Sequence, residues 1–177
     1  ILVEGPIVKD KGSFLIGGRT SYAHLFLKLT DNENSASFYD LNAKLNYKIN
    51  DNNSLYISSY FGRDFFNISE EFENTYGNST FNLRWNHLFS DRHFSNLSAI
   101  FSDYYYGLTF SSVGFDWQSS IKNFNLKYDL KYYWNDKIKL NYGLNSIYYK
   151  FNPGTIKPVD ENSSINFNQL DKKNAFE

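Results

Sequence analysis

Basic side chains recur at alternate positions in several segments of this sequence. Because alternate residues of an extended strand point to the same side, such charges would line one surface together. The set consists of Arg19, Lys44, Lys48, Arg84, Lys127, Lys131, Lys137 and Lys139. Asp40 and Asp129 follow the same alternation and would oppose them across strands. We predict a hydrated surface whose charges either pair with each other across strands or contact another part of the protein and guide a solute.

A second candidate set joins acidic and aromatic residues near the ends of predicted strands. Glu70, Glu71 and Glu73 lie in a polar, asparagine-rich segment. Solvation accounts for such a cluster, and contact with a cation or a substrate is the alternative. Tyr148, Tyr149 and Phe151 lie at the end of a predicted strand, just before the long connection that follows it. We predict that any substrate contacts lie in these two regions or in the other long connections.

Patterns typical of catalysis or metal binding are not found in the sequence. The chain has no cysteine, which excludes disulfides and thiolate ligands. His24, His87 and His93 lack ligand spacing with a supporting carboxylate, so we expect interfacial or solvated histidines. With 18 basic and 19 acidic residues, no excess of charge favours nucleic acid. We therefore expect no enzyme activity, no cofactor and no nucleic-acid partner.

Alternation of apolar and polar residues is the main structural signal. Between Tyr39 and Ile49 the odd positions are apolar and the even positions polar, which predicts a strand with one apolar face. The pattern recurs over 81–89, 124–134 and 138–144, and more weakly over 13–28, 54–66 and 93–106. No helical period of useful length occurs. We predict an all-β chain whose strands exceed the usual length of about five or six residues.

Two sizes of connection separate the predicted strands. Tight turns are rich in Asp and Asn, which tolerate a left-handed backbone, and are predicted at 8–13, 49–54, 89–93 and 134–137. Long polar connections are predicted at 30–37, 67–79, 107–120 and 152–164, in strict alternation with the tight turns. The spacing of about 40 residues between tight turns also fits a propeller. That fold is excluded because each period holds two long strands instead of four short ones.

Aromatic residues make up 20% of the chain, although its mean hydropathy is only −0.54. Tyr47, Trp85 and Trp134 are on the apolar side, each just ahead of the aspartate of a tight turn, as interfacial rings are in membrane barrels. Transmembrane strands need about 9–11 residues that alternate between lipid and interior. We predict an antiparallel transmembrane β-barrel with its apolar face on outer-membrane lipid. The alternatives are a complete small barrel, acting as an adhesin or narrow pore, and a soluble carbohydrate-binding β-sandwich.

Four segments resemble one family and follow the family's order. "EGPIVKDKGSFLIGGRTSY" (4–22) is similar to an early barrel hairpin of the TonB-dependent outer-membrane receptors, in their SusC-related branch. "FYDLNAKLNYKINDNNSLYISSYFGRDFF" (38–66) resembles the next two strands. "KFNPGTIKP" (150–158) and "LDKKNAFE" (170–177) resemble a later loop and the strand after it. The segment "TSYAHLF" after "GGR" departs from the family, which commonly has a second arginine there.

The resemblance implies a fragment of one outer-membrane barrel domain over residues 1–177, with roughly nine strands of a barrel of about 22. The plug, the energy-coupling box, the carboxypeptidase-regulatory-like N-terminal module and the closing strand would lie outside it. The implied function is nutrient import across the outer membrane of a Gram-negative bacterium. A TonB-type inner-membrane complex would drive import through the missing parts, and a surface lipoprotein is a further candidate partner. The interior charges would then contact the plug.

Overall fold

A computed structural model of the chain describes residues 1–22, 34–69, 71–159, 161 and 163–177. These residues form one sheet of ten strands, in which every pair is antiparallel. The strands are β1 (Leu2–Val8), β2 (Gly12–Thr20), β3 (Ser35–Asn50), β4 (Asn53–Ile68), β5 (Phe72–Ser90), β6 (His93–Phe110), β7 (Phe115–Tyr133), β8 (Lys139–Pro158), β9 (Asn168–Gln169) and β10 (Lys173–Phe176). The prediction of an all-β antiparallel chain is confirmed, with ten strands in place of roughly nine.

The strands follow one another across the sheet as an up-and-down meander. Each strand from β1 to β8 pairs with the next, and both β9 and β10 pair with β8. Strands β3 to β8 have 16 to 20 residues, about three times the common strand length. Because β1 and β10 stand at opposite ends of the strand order, the described sheet is open rather than closed on itself.

Alternation along each strand gives the sheet an apolar face and a polar face. On β3 the apolar face carries Leu41 and Leu45, and the polar face carries Asn42 and Lys44. The pairing of β3 with β4 keeps the apolar and polar faces separate, because Leu45 pairs with Ile57 and Lys44 pairs with the next residue along β4. A shift by one residue would exchange the faces. The predicted two-faced strand is therefore present, and its register extends the faces over the neighbouring strands.

The apolar face is exposed. Among the described residues no apolar side chain is buried, and Leu126 and Leu144 are 55% and 79% exposed. A folded domain ordinarily buries such a face against a second layer. Here the ten strands form a single layer. The part of the chain that the structure describes thus supplies no cover for its own apolar face.

The turns with aspartate agree with the sequence prediction and define one end of the sheet. Asp10 has φ of 61°, the left-handed conformation expected between β1 and β2. Two-residue turns at 51–52 and 91–92 join β3 to β4 and β5 to β6. We call this end, with Asp10, Asp51, Asp91 and Asp136, the Asp-turn end. No helix in the described ranges is long and apolar enough to cross a membrane.

The long connections predicted at the opposite end are mostly strand. Strand β4 continues to Ile68 and β5 begins at Phe72, so most of the predicted connection 67–79 belongs to strands. A 3₁₀ turn over Ser111–Val113 joins β6 to β7 inside 107–120, and β8 runs on to Pro158. Residues 35–37 belong to β3, and 30–33 lie outside the described residues. The predicted strict alternation of tight and long connections is therefore wrong. These segments are polar in composition, as loops commonly are. Pairs across strands nevertheless extend the sheet into them, as for Phe72 and Phe110, whose ring centroids lie 5.0 Å apart.

Candidate functional site

Several of the predicted interior charges pair on the polar face. Arg19 Nε donates to the carboxylate of Asp40 on the neighbouring strand. Lys127 Nζ lies 3.0 Å from Asp129 Oδ2. At the Asp-turn end, Lys48 Nζ lies 2.6 Å from Asp51 Oδ1, and this hydrogen bond lowers the pKa of Asp51. Arg19 and Lys127 are thus paired with acids of the same face, and Lys48 with an acid of the adjoining turn.

Lys44 and Arg84 line one concavity on the polar face, with a volume of about 650 Å³. Glu4, Tyr56 and Asn82 also contribute to its lining. Arg84 stacks on Tyr56, with Cζ 4.8 Å from the ring centroid, a cation–π arrangement that holds the guanidinium in place. Charges of both signs beside amide and phenol groups suit a hydrated or polypeptide surface better than an apolar ligand.

The remaining basic candidates lie apart from this concavity. Lys131 lines a separate polar hollow with Asp129 and Asn96. Lys137 is in the turn before β8, and Lys139 is the first residue of that strand. The structure therefore brings Lys44 and Arg84 to one place and distributes the other charges along the face.

Asparagines form a further feature of the polar face that the sequence prediction missed. Asn78, Asn82 and Asn86 recur at every fourth position of β5. Their Oδ1 atoms, and that of Asn125 on β7, are buried without a hydrogen-bond partner among the described residues. An unpaired buried acceptor costs about 1–3 kcal/mol, so this face requires donors from water or from a covering segment. The spacing of these residues in β5 is the signal that could have identified them.

The acidic and aromatic candidates do not form one site. Glu70 lies outside the described residues, and Glu71 lies in the turn between β4 and β5. Glu73 is on β5, where its Oε1 accepts from Asn67 Nδ2 at 3.2 Å.

The three rings of β8 are divided between the faces. Tyr149 and Phe151 stack on the polar side, with centroids 5.6 Å apart and planes at 20°. Tyr148 points to the apolar side, where its ring centroid is 6.5 Å from that of Phe124. Only Tyr149 and Phe151 are therefore placed to meet a solute on the polar face.

A continuous chain of aromatic rings crosses the apolar face at the Asp-turn end. Its successive contacts have centroid distances of 4.5–6.2 Å and join Trp85, His87, Phe89, His93, Tyr132 and Trp134. Trp85 Nε1 donates to Asn53 Oδ1 at 3.0 Å, and His93 Nε2 lies 3.0 Å from the Tyr142 hydroxyl. Rings with an apolar body and a polar tip are suited to a boundary between hydrocarbon and water. His24 lies outside the described residues.

An ion pair marks the other limit of the apolar band. On the apolar side of β7, Lys122 Nζ lies 3.1 Å from Asp103 Oδ2 of β6. Apolar and aromatic residues follow at alternate positions from Phe124 to Trp134. Ten residues span about 34 Å along a strand. In a barrel whose strands tilt by about 40°, this length would give a height of about 26 Å, close to the apolar band of about 25 Å typical of outer-membrane barrels.

No family model, curated protein or solved structure matches this chain. Within the described ranges, no three His, Asp or Glu side chains are grouped to hold a metal ion.

Proposed function

We propose that this chain forms part of the wall of an outer-membrane β-barrel, and that the barrel is a TonB-dependent transporter for nutrient uptake. One observation carries the proposal: a single-layer sheet presents an apolar face that no described segment covers. In a bilayer, hydrocarbon covers such a face, and closure of the sheet satisfies the backbone groups at its edges.

The dimensions of the sheet support a position in a bilayer. Strands of 16 to 20 residues exceed the roughly 9–11 residues that cross a membrane, so their ends would project into water. The series of contacting aromatic rings that begins at Trp85 and ends at Trp134 would lie at the membrane–water interface at the Asp-turn end. The ion pair between Lys122 and Asp103 would lie at the opposite interface.

The polar face favours a wide barrel with a hydrated interior over a small barrel whose interior is packed with side chains. Its charges, the concavity at Lys44 and Arg84, and the unpaired Asn oxygens all require polar neighbours. Barrels of about 22 strands enclose a plugged lumen that offers such neighbours. The resemblance of segments 4–22 and 38–66 to TonB-dependent receptors adds the transport function. In this proposal the outer loops capture a nutrient, and a TonB-type complex pulls the plug from the periplasmic side.

The intact mass of the protein tests this proposal. The protein is extracted from the bacterial outer membrane with detergent, and the chain that carries these residues is weighed by mass spectrometry. A plugged transporter predicts a membrane-bound chain several times heavier than 20.8 kDa. A mass near 20.8 kDa would contradict it and favour the small barrel, whereas solubility without detergent would favour the sandwich.

A further inference from the structure

A groove of about 340 Å³ runs along the apolar face across β5, β6, β7 and β8. Large side chains line it, among them Phe101, Phe124 and Tyr148. Ala99 and Ser146, on β6 and β8, contribute small side chains to the same lining. These two residues flank Leu126 in one row of the register. The groove therefore lies beside a row of aromatic rings that includes Phe101, Phe124 and Tyr148, and its lining is mainly hydrocarbon.

Two lysines lie beyond one side of this groove, outside its lining. Lys122 and Lys150 are directly paired on β7 and β8, two residues beyond the pair of Phe124 and Tyr148. Like charges at opposed positions repel. Asp103 neutralises Lys122, but Lys150 Nζ contacts only the Tyr148 ring, 5.8 Å from its centroid, and no described acid forms an ion pair with it. The site thus retains a positive charge where the apolar band ends.

We propose that the groove and the lysine pair bind one phosphate-bearing membrane lipid. The phosphate lies beside the ammonium groups of Lys122 and Lys150, and an acyl chain crosses the row of Phe124 and Tyr148 into the groove toward Ala99 and Ser146. The lysine pair is four residues from Ser146, or about 14 Å along the strand, which accommodates a substantial part of an acyl chain. This inference rests on the proposed position of the sheet in a membrane.

Native mass spectrometry of the protein as its cell makes it, purified in detergent, tests the site. The probes are phosphatidylglycerol, which is anionic, and phosphatidylcholine with the same acyl chains, which is zwitterionic. We expect wild type to retain phosphatidylglycerol more strongly. At about 1 kcal/mol for an unpaired lysine, Lys150→Gln should weaken retention about fivefold, and the double variant Lys122→Gln/Lys150→Gln should weaken it at least as much. The matched control is Lys127→Gln/Lys131→Gln on the polar face, which should keep the preference.

A second pair of variants tests the groove itself. Ala99→Leu fills its floor and should weaken the binding of both lipids, whereas Ala43→Leu, elsewhere on the apolar face, should not. Equal weakening by both variants would contradict an acyl chain in the groove. Free glycerol phosphate that competes as well as phosphatidylglycerol would likewise overturn the lipid assignment in favour of a headgroup alone.

The outcomes distinguish this inference from the proposed function. If the sheet lies in a membrane but the site is wrong, wild type will retain both lipids alike, and the lysine variants will change nothing. If the membrane position is wrong, the protein will stay in solution without detergent and bind neither lipid. Either result overturns the lipid site, and only the second also overturns the proposed function.

Discussion

Replacing Leu45 with lysine places a charge near the middle of the apolar band. Leu45 lies between Tyr39 and Ile49, the limits of the alternating stretch of β3, and its register partners are Phe14 and Ile57. The side chain is 37% exposed on the apolar face of the sheet. A lysine there would extend away from the sheet into whatever medium surrounds it, so its cost reports on that medium.

The expected loss in the free energy of unfolding for Leu45→Lys differs between a face covered by lipid and a face covered by water. A lysine at the bilayer midplane costs about 2–4 kcal/mol, and one near an interface costs about 0–1 kcal/mol. An exposed substitution in water usually stays within about 0.5 kcal/mol. Ile49 lies four residues closer to the Asp-turn end, about 10 Å along the membrane normal for a strand tilted by about 40°. We expect Leu45→Lys to lower the free energy of unfolding by about 2–4 kcal/mol and Ile49→Lys by about 1 kcal/mol or less.

The assay is guanidinium unfolding from phospholipid vesicles, followed by tryptophan fluorescence. Asn42→Lys on the polar face of the same strand is the matched control, and its proximity to Asp40 should keep the cost within about 1 kcal/mol. A cost below about 1 kcal/mol for Leu45→Lys, or equal costs at Leu45 and Ile49, would refute the lipid contact.

Two further predictions test the faces and the register. Among single-tryptophan variants in vesicles of brominated lipid, bromine should quench Trp85 on the apolar face but leave bright a tryptophan introduced by Leu88→Trp, three residues away on the polar face of the same strand; equal quenching would contradict this division. Gly143→Ala should lower the free energy of unfolding in guanidinium by about 1–3 kcal/mol, because its Cβ would clash with the backbone oxygen of Tyr128. In the control Gly18→Ala the nearest atom lies at an ordinary 3.5 Å, so an equal loss there would count against the register.

The two faces could be predicted from the sequence because a strand has a side-chain period of two. Alternation between Tyr39 and Ile49 assigns Lys44 and Leu45 to opposite sides without any knowledge of partners. The tight turns were predictable for a local reason too: Asp10 adopts the left-handed backbone that its side chain tolerates.

The ends of the strands could not be predicted in the same way. Segments 72–79 and 107–110 are rich in Asn, Ser, Thr, Gly and Tyr, which also characterise loops. Their strand conformation depends on partners distant in sequence, such as Phe72 with Phe110. The rings of Tyr148 and Tyr149 were grouped by proximity in sequence, although alternation already assigns neighbours to opposite faces.

The most direct test of the central claim is a spin-label scan of residues 39–49 in lipid vesicles. Collision with oxygen, which concentrates in hydrocarbon, and with a water-soluble nickel complex is measured at each position. If the apolar face contacts lipid, oxygen accessibility will peak at odd positions such as Leu41 and Leu45, and nickel accessibility at even positions such as Asn42 and Lys44. Nickel accessibility that is equally high at the odd positions would contradict the claim, because water would then cover both faces.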